Sequence, residues 1–218
     1  MSEKIYAVLT GDIVKSRSLE PEQSKALQQR LKSATAEFDS IFPGTLVGKL
    51  GITRGDGWQV ALENSGLALR LALYLRAVVK SEFKTDTRVS IGIGPVDRLE
   101  LDNIIESTGL AFERSGHGLE ALGKRQRLVF SSDLSDRRDE MIFQLLDCII
   151  CKWTSKESFA LAGALLNLTH DAIAEGSPAN ERSGKKPTRQ AISDALTRSS
   201  WLETQACIDF LEKASAQA

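Results

Sequence analysis

Two aspartates in this chain have the surroundings of a metal and phosphate site. Asp12 follows the apolar run Ile5–Thr10, and Asp56 lies in a short turn between two strand-like runs. Magnesium prefers oxygen ligands in proteins and usually takes one or two carboxylates together with substrate phosphates. Gly11 and Gly55 directly precede the two aspartates, so the backbone there can bend closely around an ion or a phosphate. The pair therefore predicts a magnesium or manganese site if the fold brings the two residues together.

The segment after Asp12 adds groups that suit phosphate. Lys15, Ser16 and Arg17 offer two cations, a hydroxyl and backbone N–H groups ahead of a predicted helix. The alternative is purely structural: Asp12 would cap a turn between a strand and a helix, and Asp56 would shape a hairpin turn, both favoured roles for aspartate. The sequence pattern leaves both interpretations open.

The elements that must position these residues follow from hydrophobic periodicity. Over residues 5–131 the pattern predicts the order βαββαβαβ. The predicted strands are Ile5–Thr10, Leu46–Ile52, Trp58–Leu62, Arg88–Gly94 and Arg127–Ser131, and the predicted helices are a long one from Pro21 to before Pro43, Ser65–Ser81 and Thr108–Leu122. A right-handed β-α-β crossover makes the first two strands parallel, so both end at one edge of the sheet. Asp12 and the hairpin tip that carries Asp56 should therefore meet.

From residue 135 onward the pattern contains no further strand. We expect a domain over residues 1–134 and an all-helical region over residues 135–218. The predicted helices are Ser135–Cys151, Ser155–Leu168, Thr169–Glu175, Thr188–Leu196 and Ser200–Ala214.

Composition limits the number of domains, the partners and the cellular compartment that we expect for the protein. The chain of 218 residues fits one good core with a smaller second unit. A formal net charge of −1 gives no overall attraction to nucleic acid or to a membrane, so a polyanion site must be local. The apolar run near the start is too brief for a secretory or membrane-spanning segment, and three cysteines argue against a disulfide framework. We expect a cytoplasmic protein with no membrane partner.

Three motifs resemble those of known nucleotide-processing domains. YAVLTGDIVKSRSL is similar to the first metal motif of class III nucleotidyl cyclases, TRGDGWQVAL to their hairpin with a Gly-Asp pair, and RVSIGIGPV to the strand that follows. The chain resembles the SatD-like family most, in which such a domain precedes a helix-turn-helix tail, and STGLAFERSGHGLEAL resembles the helix motif of that family. This resemblance implies an α/β (α+β) fold: a ferredoxin-like palm domain, as in nucleotidyl cyclases and GGDEF-type domains.

The resemblance also implies roles for individual residues. Asp12 and Asp56 would be metal ligands and the carbonyl of Ile13 a third. The residues that the resemblance implies near phosphates are Lys15, Ser16 and Arg17, and the glycines before the aspartates, Gly11 and Gly55, complete the predicted phosphate-binding set.

Four positions depart from the family patterns. Ile52 stands where purine-selecting cyclases have a polar residue, and Gly57 stands where diguanylate cyclases have an acid. Ala111 and Phe112 occupy the region of the transition-state asparagine and arginine, which leaves Arg114 as the candidate catalytic residue. Nucleotidyl transfer depends on charge stabilisation and alignment, so these departures should impair catalysis more than binding.

The C-terminal sequence TRQAISDALTRSSWLETQACIDFLEKA has the outline of a helix-turn-helix, without the usual glycine in the turn. If this tail binds DNA, its basic cluster would contact phosphates and the second helix would read bases. The basic cluster is Lys185, Lys186, Arg189 and Arg198, and the base-reading candidates are Glu203, Thr204 and Gln205. Because the region is close to neutral, we expect DNA affinity only in a homodimer. The alternative is a helical unit that packs on the palm or on a dimer partner.

Two functional hypotheses follow. The favoured one is a regulator whose palm binds a nucleoside triphosphate or a related nucleotide with magnesium or manganese, and whose tail engages DNA or protein. The other is an active magnesium-dependent nucleotidyltransferase or nucleotidyl cyclase.

Overall fold

The structure is a computed structural model that describes residues 4–53, 55–133, 137–179 and 184–215. The strands are β1 Ile5–Ile13, β2 Leu46–Ile52, β3 Gly57–Leu62, β4 Thr87–Pro95 and β5 Leu128–Ser131. The helices are α1 Pro21–Ile41, α2 Ala68–Phe83, α3 Leu110–Ala121, α4 Arg137–Ile150, α5 Ser155–Leu165, α6 His170–Gly176, α7 Arg189–Arg198 and α8 Trp201–Ser215. The predicted order of elements is confirmed.

The five strands form one sheet in the order β2-β3-β1-β4-β5. β1 is antiparallel to both β3 and β4, and β4 is parallel to β5. β3 lies between β1 and β2, which therefore run in the same direction, as in a ferredoxin-like split β-α-β unit. The predicted direction of β1 and β2 is confirmed, and α3 with β5 extends this unit at one side.

β1 is almost continuously apolar because both of its faces are covered. Ala7 and Leu9 face the large core that contains α1 and α2, whereas Val8 belongs to a smaller cluster with Ala111 and Phe112 of α3. Alternate residues of a strand point to opposite faces, so one strand supplies both layers. The polar residues of β1 lie on the α3 side near its end, and this alternation brings Asp12 to the surface of that layer.

The helical region shares the core of the sheet domain. Buried side chains of α5, α7 and α8 belong to the same cluster as those of α1 and α2. Arg70 of α2, which is buried, donates to Glu212 of α8 at 2.6 Å. The predicted boundary between residues 134 and 135 falls outside the described residues. In the described ranges, no helix has the length and apolar character needed to cross a bilayer.

The turn between α7 and α8 contains no glycine at the position where helix-turn-helix sequences usually have one. Ser200 takes the left-handed conformation, with φ of 57°, that glycine would otherwise supply. The Thr204 side chain, expected to read bases, is buried, and its hydroxyl donates to the Ser200 carbonyl at 2.9 Å. That expectation is wrong for Thr204, because the residue belongs to the turn and not to an exposed face.

Candidate functional site

A cavity of about 270 Å³ opens at the sheet edge where β1 ends and where β4 and β5 begin. These termini share an edge because β4 is antiparallel to β1 and parallel to β5. Eight residues line the cavity: Asp12, Ile13, Val14, Lys15, Asp56, Arg88, Lys124 and Arg127. Both aspartates predicted to converge therefore lie in the wall of one cavity.

Asp12 lies opposite Gly57 of β3 and Arg88 of β4 in the strand register. Arg88 donates from Nε to one carboxylate oxygen of Asp12 at 2.7 Å and from Nη2 to the other. Both side chains are partly exposed. The hydrogen bonds to Asp12 and the negative charges of Asp12 and Asp56 raise the pKa of Arg88, against a smaller lowering by burial. The guanidinium is thus bound to Asp12, and the nearby charge of Asp56 adds to the electrostatic stabilisation of its charged form.

Asp56 is presented by the turn between β2 and β3. Gly55 adopts φ of 89°, a conformation that side chains disfavour, so glycine is required there by the turn itself. The carbonyl of Gly55 accepts a hydrogen bond from the Gln28 side chain of α1 at 3.0 Å. α1 thereby fixes the turn against the body of the domain.

A chain of hydrogen bonds holds the backbone of Asp12. The indole N–H of Trp58 donates to the Thr87 hydroxyl at 2.9 Å, and this hydroxyl donates to the Asp12 carbonyl at 2.7 Å. A β-carbon on Gly11 would lie 2.3 Å from the Trp58 ring. The glycine that suggested a close approach of phosphate therefore makes room for the Trp58 indole.

The segment after β1 brings one of its two cations into the cavity. Lys15 adopts the left-handed conformation and is one of the lining residues. Ser16 instead lines a narrow crevice beside Asp56, and Arg17 is exposed on the 3-10 helix Ser16–Ser18, outside both lining sets. The structure brings together Lys15 and the aspartates, but not Arg17.

Three cations of the lining were missed by the sequence analysis. Arg88 was assigned only to an alternating strand, and Lys124 and Arg127 lie in the loop between α3 and β5. The available signal was the basic run Lys124-Arg125-Gln126-Arg127 directly before β5. A parallel β4–β5 pair places that run beside the start of β4, which is the edge that Asp12 occupies.

Arg114, the candidate catalytic residue, lies elsewhere. Its guanidinium donates to the Ile93 carbonyl at 2.6 Å and to the Asp133 carboxylate. Ile93 pairs with Ala7 near the start of β1, whereas the cavity is at the end of that strand. The structure does not bring Arg114 to the lining of the cavity.

The donor set of the cavity suits a metal ion shared with phosphate. Within the described ranges, no group of three or more His, Cys, Asp or Glu side chains could hold a metal ion. Two carboxylates alone leave most of the octahedral positions of magnesium to water and phosphate oxygens, which is how such ions are commonly held. Asp12 and Asp56 could be the two carboxylates of such an arrangement, and Ile13, whose carbonyl was the expected third ligand, lines the same cavity.

No protein-family model and no curated protein matches the chain. Among solved structures it is similar to the guanylyl cyclase Cya2, with 15% sequence identity and a TM-score of 0.44 over 62% of this chain and 81% of the other. It is also similar to a bacterial light-regulated adenylyl cyclase, with 16% identity and a TM-score of 0.41 over 60% and 77% of the two chains. Because both TM-scores are low, we take no residue role, substrate or assembly from these proteins.

Proposed function

We propose that this protein binds a nucleoside triphosphate together with magnesium or manganese in the cavity at the end of β1, and that this binding serves regulation. The observation that carries the proposal is the composition of the lining. Two carboxylates, Asp12 and Asp56, stand among four cations, which are Lys15, Arg88, Lys124 and Arg127.

The charges of the cavity favour a polyanion bound with a metal ion. Four cations and two carboxylates leave an excess of positive charge when the lining is considered alone. A phosphate chain would satisfy the cations, and Asp12 and Asp56 would be the carboxylates that hold a divalent cation, whose charge would offset theirs. Either component alone would leave groups of one sign without a counter-charge, so we expect the two to bind together.

Arg88 would change partners on binding. In the structure it occupies both carboxylate oxygens of Asp12. If Asp12 instead held a metal ion, the Arg88 guanidinium would be released and could donate to a phosphate oxygen, as bidentate arginines commonly do. The same residue would thereby neutralise Asp12 in the free protein and phosphate in the complex.

Binding is favoured over turnover by the placement of Arg114. Electrostatic stabilisation of a transition state requires donors aimed at the reacting atoms. Arg114 instead donates to the Ile93 carbonyl near the other end of β4. The alternative, a magnesium-dependent nucleotidyl cyclase or nucleotidyltransferase on a cyclase-type palm, would have to use one of the four cations of the lining in place of Arg114.

A role for the tail in DNA binding has weaker support. Arg189 pairs with Asp171 at 3.6 Å and Arg198 with Glu157 at 3.4 Å, so acids already accompany two of the proposed phosphate contacts. The outward side of α8 carries Leu202 and Phe210, with 79% and 63% of their surface exposed. An apolar face suits a protein contact better than a nucleic acid.

The test is incubation with labelled ATP and GTP in the presence of magnesium or manganese. Protection from thermal unfolding without product supports regulation by binding, because a ligand that binds only the folded state raises its stability. Formation of a cyclic or transferred nucleotide would establish the enzymatic alternative. Absence of both protection and product would reject the site.

A further inference from the structure

A buried group of charges lies behind the cavity. Arg76 of α2 has no exposed surface, and it donates to Asp86 at 2.7 Å and to Asp147 of α4 at 2.7 Å. Burial alone would lower the pKa of Arg76, but the combined effect of the two carboxylates is larger and raises this pKa above its ordinary value. The guanidinium therefore stays charged. Lys80 approaches Asp86 at 3.7 Å from the solvent side.

Stability alone is a weak reason for such a cluster. Apolar residues of similar volume often stabilise a core as well as a buried ion pair does, because desolvation of the charges is costly. The remaining hydrogen-bonding capacity of the cluster is therefore informative. It is directed at the backbone N–H of Arg127, which lines the cavity, at the backbone N–H of Thr87 and at the thiol of Cys151.

One wall is held through Asp147. Its Oδ1 accepts from Arg76, and its Oδ2 accepts from the backbone N–H of Arg127 at 2.7 Å. The carbonyl of Arg127 in turn accepts from the backbone N–H of Val89, next to Arg88, at 2.8 Å. The backbone of Arg127 is thus fixed on both sides, and its guanidinium donates to the carbonyls of Lys124 and Gln126 at 2.9 and 3.0 Å in the loop that lines the cavity.

The other wall is held through the segment before β4. The carbonyl of Asp86 accepts from the backbone N–H of Val14 at 2.9 Å, and the Thr85 hydroxyl donates to the Val14 carbonyl at 2.7 Å. Val14 and Lys15 line the cavity. Asp86 is linked to Arg76 through its carboxylate and to Val14 through its backbone carbonyl, whereas Asp147 accepts from both Arg76 and the Arg127 backbone through its carboxylate.

We propose that Asp147 is a positioning residue for the nucleotide site: together with Arg76, it sets the place of Arg127 and Lys124 against the phosphate chain. This inference rests on the proposed function, since it concerns the same cavity. It makes α4, the first helix of the C-terminal region, a structural part of the site. Movement of α4 would then alter the affinity for phosphate, which gives the helical region a physical link to the ligand.

The test is the affinity of Asp147→Asn for magnesium ATP or GTP, whichever the wild-type protein binds more tightly. Asparagine presents one oxygen and one N–H₂ group to two donors, so one of the bonds to Arg76 and Arg127 must be lost. We expect about tenfold weaker binding by the folded variant, the size of effect that accompanies loss of one charge-assisted contact. Asp147→Glu keeps the charge but displaces the oxygens by a methylene, and it should also bind more weakly.

A double-mutant cycle separates positioning from a general loss of stability. In a Lys124→Ala and Arg127→Ala background, Asp147→Asn should cause little further loss of affinity, because the two cationic side chains whose backbone it positions are already removed. Glu212→Gln is the matched control: it removes a carboxylate partner of Arg70, another buried arginine of α2, without touching the cavity. That control should bind the nucleotide as the wild type does.

Three results would overturn the inference. They are normal affinity in folded Asp147→Asn and Asp147→Glu, an equal loss of affinity in the Lys124→Ala and Arg127→Ala background, and an equal loss in Glu212→Gln. If wild-type protein binds neither nucleotide, the proposed function itself fails. A failure of the inference about Asp147 can therefore be told apart from a failure of the proposed nucleotide binding.

Discussion

Arg88 of β4 donates two hydrogen bonds to the carboxylate of Asp12, which lies directly opposite it on β1. The strand register fixes this pairing, and Asp56 shares the same cavity. A cation that approaches Asp12 must therefore compete with an internal guanidinium. This relationship predicts how metal and nucleotide affinities depend on Arg88.

Replacement of Arg88 by alanine should change the two affinities in opposite directions. Magnesium alone should bind more tightly, because both oxygens of Asp12 become available. The magnesium triphosphate should bind about tenfold more weakly, because a charge-assisted contact to phosphate is lost. Titration calorimetry with each ligand measures both.

Arg125→Ala is the control for Arg88→Ala, since Arg125 is exposed and outside the lining of the cavity. The partly exposed pair of Arg88 and Asp12 contributes little to stability, roughly 1 kcal/mol or less, so the variant should remain folded. A fall in both affinities, or no change in either, would show that Arg88 does not compete with magnesium for the Asp12 carboxylate.

Two glycines of α3 should respond oppositely to alanine. A β-carbon at Gly116 would have no neighbour within 4 Å, so Gly116→Ala should stabilise the helix by about 0.5–1 kcal/mol. A β-carbon at Gly118 would lie 2.3 Å from the hydroxyl of buried Ser90, so Gly118→Ala should destabilise by about 1–3 kcal/mol. Denaturant unfolding of both variants provides the comparison, and similar shifts for the two would refute this packing of α3 on the sheet.

The strands and helices followed from sequence because each has a clear periodicity. The stripe Leu27, Leu31, Ala34 and Phe38 of α1 is buried, as its spacing predicts. The convergence of Asp12 and Asp56 followed from the crossover rule alone. Topological rules therefore sufficed for the two residues at the ends of consecutive elements.

The remaining site residues depend on register and loops, which periodicity does not specify. Arg88 faces Asp12 because of a particular pairing of β1 with β4, and a shift by one residue would turn it to the other face. The backbone of Arg127 is held by Asp147, which lies in α4, outside the sheet, so the strand pattern gives no indication of this contact. Gly11 suggested phosphate, but the packing of Trp58 accounts for it.

We expect no salt-dependent DNA affinity from the C-terminal helices. Leu202 and Phe210 are exposed large apolar residues of α8, and Arg189 and Arg198 are paired with acids. Mobility-shift assays with random genomic fragments at low salt, on protein of determined oligomeric state, provide the measurement. This expectation would be contradicted by retardation that weakens as salt increases. The slope of log affinity against log salt concentration would then fall by about 0.9 for each alanine at Lys185, Lys186, Arg189 or Arg198.

The most direct test of the metal and phosphate site is the midpoint of thermal unfolding of wild type, Asp12→Asn and Asp56→Asn with ATP or GTP, with and without magnesium. Both variants should be folded, since both positions lie at a solvent-accessible cavity. At a ligand concentration of about 100 times Kd, the wild type should gain about 2.7 kcal/mol of stability. We predict that this gain requires magnesium and is absent in both variants. An unchanged gain in both variants, or a gain in wild type that is independent of magnesium, would contradict the account.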